Sequence, residues 1–151
     1  MNLSFTGEYN YSIDQKGRLN IPAKFRKALD PKNSNTFVAT RGFDPSLILY
    51  PIIEWQKVEQ QLLLLSSIKN KDRSFVRSIV RYATITKYDS QGRIQIPENL
   101  LEYSNINKEV LVIGMINKIE IWNKSNLDKI EKKSSNDLDD SFEDLANEIK
   151  F

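Results

Sequence analysis

The sequence predicts a mainly β protein with short helices, α+β by content, in which two copies of one small unit pack together. Two observations lead to this prediction: a motif at residues 11–22 recurs at residues 86–97, and short runs of alternating apolar and polar residues flank both copies. Such alternation is typical of strands with one buried face. A unit of about fifty residues seldom buries enough apolar surface to fold alone, so the copies are expected to pack against each other.

The duplication extends beyond the motif itself. Five residues recur 75 positions later: Asp14, Gly17, Arg18, Ile21 and Pro22 return as Asp89, Gly92, Arg93, Ile96 and Pro97. After a shortened loop, three further pairs follow 72 positions apart: Gly42 with Gly114, Leu47 with Ile119, and Tyr50 with Trp122. Self-similarity of this length indicates a tandem duplication.

The first unit begins with two strands joined by a tight turn at Asp14–Arg18. Gly17 can supply the positive φ that the turn needs, and Asp14 can hydrogen-bond the turn's own backbone. Apolar residues alternate with polar ones on both sides: Tyr9, Tyr11 and Ile13 before the turn, and Leu19 and Ile21 after it.

Pro22 then begins a short helix that is expected to turn Phe25 and Leu29 inward. Thr36–Thr40 and Leu47–Tyr50 predict a second strand pair, joined by a loop around Gly42. The second unit repeats this order, with strands at 83–88 and 93–96, a helix from 97 to 103, and strands at 109–113 and 118–122.

Between the units, apolar residues at helical spacing predict two helices with a polar break near residues 66–70: Trp55, Val58, Leu62 and Leu65 mark the first, and Phe75, Ile79 and Ala83 begin the second. Core packing accounts for two of the four leucines at 62–65, and the others suggest a subunit interface. We divide the chain into a first repeat (7–54), a helical connector (55–82), a second repeat (83–126), and a C-terminal helix with an acidic tail (127–151).

The composition excludes most catalytic and metal-binding chemistry. The chain has neither cysteine nor histidine, which excludes disulfides, thiolate nucleophiles, Cys/His zinc sites and imidazole-based triads. The five glycines are too scattered for a phosphate-cradling loop. The chain starts without a signal-peptide pattern, and its longest apolar stretch, Val110–Ile116, is too short to span a bilayer. We therefore expect a cytoplasmic non-enzyme, without catalytic residues, metal, cofactor, membrane or small-molecule substrate.

The net charge of +2 conceals an asymmetry. Residues 134–151 contain six acidic side chains and one lysine, a balance of −5, which leaves +7 for residues 1–133. A basic body suits a polyanionic partner, although a solvated surface is the commoner reason for so modest an excess.

The residues described so far resemble the MraZ family, within the larger group of AbrB-like swapped-hairpin proteins. The resemblance runs from Gly7 to about Lys133, and its most specific feature is the doubled Asp-x-x-x-Arg motif, Asp14–Arg18 and Asp89–Arg93, each followed by an Ile-Pro helix start. Further landmarks are Tyr50-Pro51, Glu54-Trp55 and Glu120-Ile121-Trp122. Residues 81–84 depart from the family, since they lack a Ser-Gly-Ala found in many members.

The resemblance implies a double-split β-barrel built from two tandem AbrB-like repeats whose strands interleave. It also implies a ring-shaped homo-oligomer, associated with the nucleoid, that regulates transcription by binding short direct repeats upstream of the division and cell-wall gene cluster. The family's DNA-contacting arginine carries onto Arg18.

We therefore predict DNA contacts at Arg18, Lys16 and Arg93, on turns formed by Asp14, Gly17, Asp89 and Gly92. An arginine there can bridge phosphates or pair with guanine. The alternative is that the Asp–Arg pairs only pin their turns, and we favour this role more for Arg93 than for Arg18. Catalysis by Asp14 and Asp89 has no other support.

Other basic residues are interpreted as surface. Lys24, Arg26 and Lys27 are read mainly as a solvated helix face, which could also extend a positive stripe toward DNA. The connector arginines at 73, 77 and 81 are read as an oligomer or solvent surface, with Asp72 and Glu59 as candidate ion-pair partners.

Two rival functions remain. Phe142, Leu145 and Ile149 lie at helical spacing, so the acidic tail could wrap a partner protein as in an antitoxin. Against this, antitoxins of this group tend to have one repeat per chain. The other rival is an architectural nucleoid protein without sequence preference.

Overall fold

The computed structural model describes residues 4–149, without the side chains of residues 134–141. The strands are β1 (Glu8–Ser12), β2 (Arg18–Asn20), β3 (Thr36–Arg41), β4 (Leu47–Pro51), β5 (Thr84–Lys87), β6 (Arg93–Gln95), β7 (Glu109–Gly114) and β8 (Ile119–Trp122). The helices are α1 (Ala23–Ala28), α2 (Ile52–Leu62), α3 (Asn70–Val80), α4 (Glu98–Tyr103) and α5 (Lys124–Glu148), with a 3-10 turn at Pro31–Asn33. The predicted mainly β fold with short helices and two tandem units is confirmed.

Strands of both repeats are interleaved in each sheet. The larger sheet has six strands in the order β1-β7-β8-β4-β3-β5, and β2 pairs with β6 in a separate two-stranded ribbon. Four pairings join one repeat to the other, namely β1 with β7, β4 with β8, β3 with β5, and β2 with β6. The repeats are therefore interleaved, as the resemblance implied.

The tight turn at Asp14–Arg18 is present, but it forms a corner between sheets, and the two strands that it joins do not pair with each other as in a hairpin. The strand before it, β1, pairs with β7, whereas the strand after it, β2, pairs with β6. The second turn behaves alike, because β5 pairs with β3 and β6 with β2. Each strand takes its partner from the other repeat, and local apolar alternation cannot reveal a partner so distant in sequence.

One core serves both repeats. Leu19 and Ile94 face each other across the ribbon and are fully buried, and the equivalent helix residues Phe25 and Leu100 are fully buried beside them. Burying each such side chain contributes roughly 1.5–3 kcal/mol. Since this single cluster contains residues of both repeats, neither repeat has a separate main core.

A second, smaller core holds the helical connector against the sheet. Trp55 of α2 and Ile79 of α3 pack around Val38 of β3. The Thr40 hydroxyl donates a hydrogen bond of 2.9 Å to the Ile79 carbonyl, which fixes the end of α3. Of the leucine run, Leu62 packs on this cluster, whereas Leu63, Leu64 and Leu65 are exposed. The core therefore uses fewer of these leucines than predicted.

Helix α5 leaves the sheet after Trp122 and begins with a side-chain cap. The Asn123 side chain accepts a hydrogen bond of 3.1 Å from the Asn126 backbone N–H. Within residues 4–149 no helix combines the length and the apolar character needed to cross a bilayer.

Candidate nucleic-acid interface

The first turn is organised by the Asp14 carboxylate. One of its oxygens accepts the backbone N–H groups of Lys16 (2.9 Å) and Arg18 (2.8 Å), and the other accepts the Arg18 Nε–H at 2.7 Å. Backbone bonds of 3.0 Å from Gly17 N–H to the Asp14 carbonyl, and from Asp14 N–H to the Arg18 carbonyl, close the loop. Gly17 has a φ of 77°, which side chains rarely tolerate.

The second turn reproduces this geometry. The Asp89 carboxylate accepts the backbone N–H groups of Gln91 and Arg93, both at 2.9 Å, and the Arg93 Nε–H at 3.0 Å. Gly92 has a φ of 79°. The spacing Asp-x-x-x-Arg therefore has a physical reason, since a carboxylate at the first position can hold both the backbone and the side chain of the fifth.

These contacts favour the charged form of both carboxylates. The backbone N–H of Arg18, followed by its side chain, holds the pKa of Asp14 below its ordinary value, against an opposing desolvation effect. The backbone and side chain of Arg93 lower the pKa of Asp89 in the same way. The hydrogen bonds of their own turns thus hold both carboxylates in the charged form.

The ribbon of β2 and β6 brings the turns together. Ile21 N–H donates to the Gly92 carbonyl at 2.8 Å, and Ile96 N–H donates to the Gly17 carbonyl at 2.9 Å, so each strand extends onto the opposite turn. On the ribbon, Arg18 lies opposite Gln95 and Asn20 lies opposite Arg93. Because Leu19 and Ile94 point into the core, these four polar residues share the outward face.

Each arginine of the motif is both anchored and accessible. The Arg18 side chain is 30% exposed and that of Arg93 is 25% exposed. Their Nε atoms are bound to aspartate, while neither guanidinium uses its two terminal nitrogens in a hydrogen bond among the residues described here. The pinning role and an external contact are therefore compatible, because a guanidinium offers five N–H donors.

The remaining predicted site residues differ in position. Lys16 is exposed on the first turn, but its counterpart Gln91 carries no charge. Gln95 donates a side-chain hydrogen bond to the Lys16 carbonyl, so the second repeat supports the first turn. Sequence reasoning missed Gln95 and Asn20, although the strand period would have placed both on one face with the motif arginines.

Arg26 was interpreted as part of a solvated helix face, and the structure places it elsewhere. It is half-buried, and its Nε–H donates to the Ile21 carbonyl at 3.1 Å. A Cβ added to Gly92 would lie 2.8 Å from its Cζ, so the guanidinium rests on the second turn. The only sequence signal is that position 26 is basic, whereas the equivalent position 101 is leucine.

Within one chain, Asp72 and Glu59 do not form ion pairs with the connector arginines. Asp72 instead accepts the Ser66 backbone N–H at 3.1 Å, and Arg73 donates to backbone carbonyls of the preceding loop. The Arg81 Cζ lies 5.4 Å from the centroid of the Tyr82 ring. In the part of the chain that the structure describes, no three acidic side chains cluster as they would around a metal ion.

Two interleaved repeats that place equivalent Asp-x-x-x-Arg turns on a single ribbon define a class of tandem-repeat β protein. The sequence model of one family, described as "MraZ protein, putative antitoxin-like", matches the chain twice, over residues 4–78 and 79–149. The chain therefore belongs to the MraZ family.

Curated relatives agree over nearly the full length. A "Transcriptional regulator MraZ" of Halothermothrix orenii is 45% identical over 146 residues, covering 94% of this chain and 99% of the relative. Proteins of the same name from Pediococcus pentosaceus (42%, covering 93% of this chain and 96% of the relative) and Natranaerobius thermophilus (39%, covering 96% of each) are also similar. The family membership supports a role in transcription regulation and DNA binding.

Proposed function

We propose that this chain is a sequence-specific DNA-binding transcriptional regulator that contacts double-stranded DNA through the β2–β6 ribbon. Arg18 is the principal contact, and Lys16 and Arg93 add to it. The observation that carries the proposal is that the ribbon joins both Asp-x-x-x-Arg turns on one outward polar face. The names of the three relatives support the same function.

The chemistry of this face suits base recognition. The major groove of B-DNA admits a two-stranded ribbon, and arginine pairs with guanine while asparagine and glutamine pair with adenine. Arg18, Asn20, Arg93 and Gln95 supply these groups. A well-formed bidentate pair discriminates against the wrong base by about 1–3 kcal/mol. Binding by one such ribbon alone is weak, since it covers little of the DNA surface.

The finer proposal is a ring-shaped homo-oligomer that binds short direct repeats upstream of the division and cell-wall gene cluster. Exposed apolar side chains of the connector support self-association, because Leu63, Leu64 and Ile68 are 76%, 78% and 87% exposed. Several ribbons held on one rigid assembly raise the effective concentration of the next contact, which gains roughly 10²–10⁴ in avidity.

The proposal includes a cytoplasmic, nucleoid-associated location and excludes enzymatic activity, cofactors and small-molecule substrates. It retains the division into repeats at 7–54 and 83–126, a connector at 55–82, and a C-terminal helix and tail at 127–151.

The test is selection of bound DNA from a random pool, followed by gel shifts at fixed salt with the selected sequence. Arg18→Ala is expected to lose at least a hundredfold in affinity, since it removes a base contact from every subunit of an avid assembly. Lys32→Ala is the matched control, because it removes the same charge from an exposed position of the first repeat. Equal affinity of Arg18→Ala and wild type would refute the proposed contact.

Two further measurements distinguish the proposed function from its alternatives, an antitoxin-like module and an architectural DNA-binding protein. Phe142, Leu145 and Ile149 are 67%, 60% and 66% exposed at the end of α5, which supports a protein partner for that helix. An antitoxin-like module would capture a partner only when residues 134–151 are present. A purely architectural protein would yield no enriched sequence from the random pool.

A further inference from the structure

The two turns differ in charge despite their common geometry. The first carries Lys16, Arg18 and Asp14, whereas the second carries only Arg93 and Asp89, because Gln91 stands where the first turn has Lys16. Counted within the turns alone, the first has a net charge of +1 and the second of zero. If charge followed the turn sequences, only the first would attract a polyanion.

A side chain from the other repeat changes this balance. Arg26 of α1 lies against Gly92, so that an added Cβ would meet its Cζ and Nε at 2.8 Å and its Cδ at 3.1 Å. At the first turn the equivalent neighbour is Leu101 of α4, whose Cδ1 would lie 3.7 Å from a Cβ on Gly17. A guanidinium therefore covers the turn that lacks a lysine, and a leucine covers the turn that has one.

The position of Arg26 is fixed by the ribbon. The Arg26 Nε–H donates to the Ile21 carbonyl at 3.1 Å. The backbone N–H of Ile21 in turn donates to the Gly92 carbonyl at 2.8 Å. On the first turn the Gln95 amide occupies the corresponding space, 3.0 Å from an added Cβ. The residue equivalent to Gln95 in the first repeat is Asn20, whose side chain is one methylene shorter. The shorter side chain leaves room for Arg26 on the second turn.

Only one basic residue of α1 is held in this way. Arg26 is half-buried, whereas Lys24 and Lys27 are exposed. Its two terminal nitrogens make no hydrogen bond within the described part of the chain, so they keep their donors for an external acceptor. A half-buried arginine with free terminal nitrogens, packed on Gly92 immediately before Arg93 in the chain, is suited to an anion such as phosphate.

We propose that Arg26 and Arg93 form a phosphate-binding subsite on the second turn, with Arg26 replacing in trans the lysine that this turn lacks. With Arg26 included, both turns reach the same net charge of +1. The ligand is a phosphate of the DNA backbone, so this inference rests on the proposed function. Both ends of the ribbon then contact DNA, and Arg18 is not the sole determinant of affinity.

The test compares charge loss at two positions of the same helix. Arg26→Gln is expected to weaken binding at least tenfold for any DNA sequence and to lower the slope of log affinity against log salt by about one for each subunit bound to DNA. Lys24→Gln removes an equal charge from an exposed neighbour and is expected to change both quantities clearly less. In Arg26→Gln, adding Gln91→Lys restores the charge to the second turn and is expected to recover the slope and most of the affinity.

The outcomes separate this inference from the proposed function. Wild-type affinity in Arg18→Ala overturns the proposed function itself. A loss in Arg18→Ala, combined with equal behaviour of Arg26→Gln and Lys24→Gln, overturns only the subsite, as does failure of Gln91→Lys to restore the slope. If Arg26→Gln does not fold by circular dichroism, Arg26→Lys replaces it. This variant keeps the charge but loses the planar pair of terminal nitrogens, so it is expected to keep the wild-type slope with a weaker affinity. Wild-type affinity in Arg26→Lys would refute the subsite.

Discussion

The two turns of this protein have the same hydrogen bonds and different electrostatic surroundings. Asp14 and Asp89 bind their turns through equivalent contacts, none of which differs by more than 0.3 Å between the copies. The helices that follow diverge, since α1 carries Lys24, Arg26 and Lys27 whereas α4 carries Glu98 and Glu102. The comparison teaches that the motif fixes the shape of the turn and leaves its charge free to be set by neighbouring elements.

The ribbon is the element in which the two repeats are most nearly equal, so matched core substitutions should have matched effects. Leu19→Ala and Ile94→Ala each create a cavity at the centre of the shared core, and each is expected to cost about 2–5 kcal/mol in free energy of unfolding. Denaturant unfolding followed by circular dichroism measures this loss. One cooperative transition is expected for both variants, because neither repeat has a separate core. Two transitions, with only one of them moved by Ile94→Ala, would contradict the shared core.

The tandem repeat and the turns could be predicted from the sequence because they depend on local spacing. An aspartate four residues before an arginine, with a glycine between them, specifies its own contacts, and alternating apolar residues identify the buried faces of β1 and β2. The pairs β3–β4 and β7–β8 could also be predicted, because they are close in sequence. The partners of β1, β2, β5 and β6 could not, since they lie in the other repeat, as where Leu19 faces Ile94 across the ribbon. Arg26 was missed for the same reason, because its place on Gly92 depends on contact between repeats.

The exposed leucines show a second limit of sequence reasoning. Periodicity assigned Leu62 correctly to the helix face that packs on Trp55, since residues three and four apart share a face. It also marked Leu65, but α2 ends at Leu62 and the helical face ends with it. The boundary of a helix thus decides which apolar residues reach the core.

Substitutions of the two turn glycines, Gly17 and Gly92, test how the two turns differ in their surroundings. Gly17→Ala and Gly92→Ala each force a side chain into a positive φ, which costs roughly 1–2 kcal/mol. At Gly17 the new Cβ also comes within 3.1 Å of the Ile96 backbone carbonyl, whereas at Gly92 it meets the Arg26 side chain, which is displaced at less cost than backbone. We expect Gly17→Ala to lose more free energy of unfolding, and Gly92→Ala to show the weaker salt dependence of DNA binding. Thermal unfolding and salt titrations of both variants measure this, and a reversed order would contradict the different coverage of the turns.

The smallest expected effect is a pH dependence that the two turns share. Because contacts with arginine lower the folded pKa of Asp14 and Asp89 below the ordinary value of 3.8, their contribution to stability is complete above that value. It is lost as the pH falls through the lower folded values, when protonation removes the charge that the Arg18 and Arg93 groups stabilise. The double variant Asp14→Asn, Asp89→Asn should therefore lose less stability than wild type as the pH is lowered from neutral through 3.8 and below. Solvent screening keeps the difference small, since both pairs are partly exposed. Denaturant midpoints measured across this range give the comparison, and parallel curves for the two proteins would show that the aspartates shape the turns without stabilising them through charge.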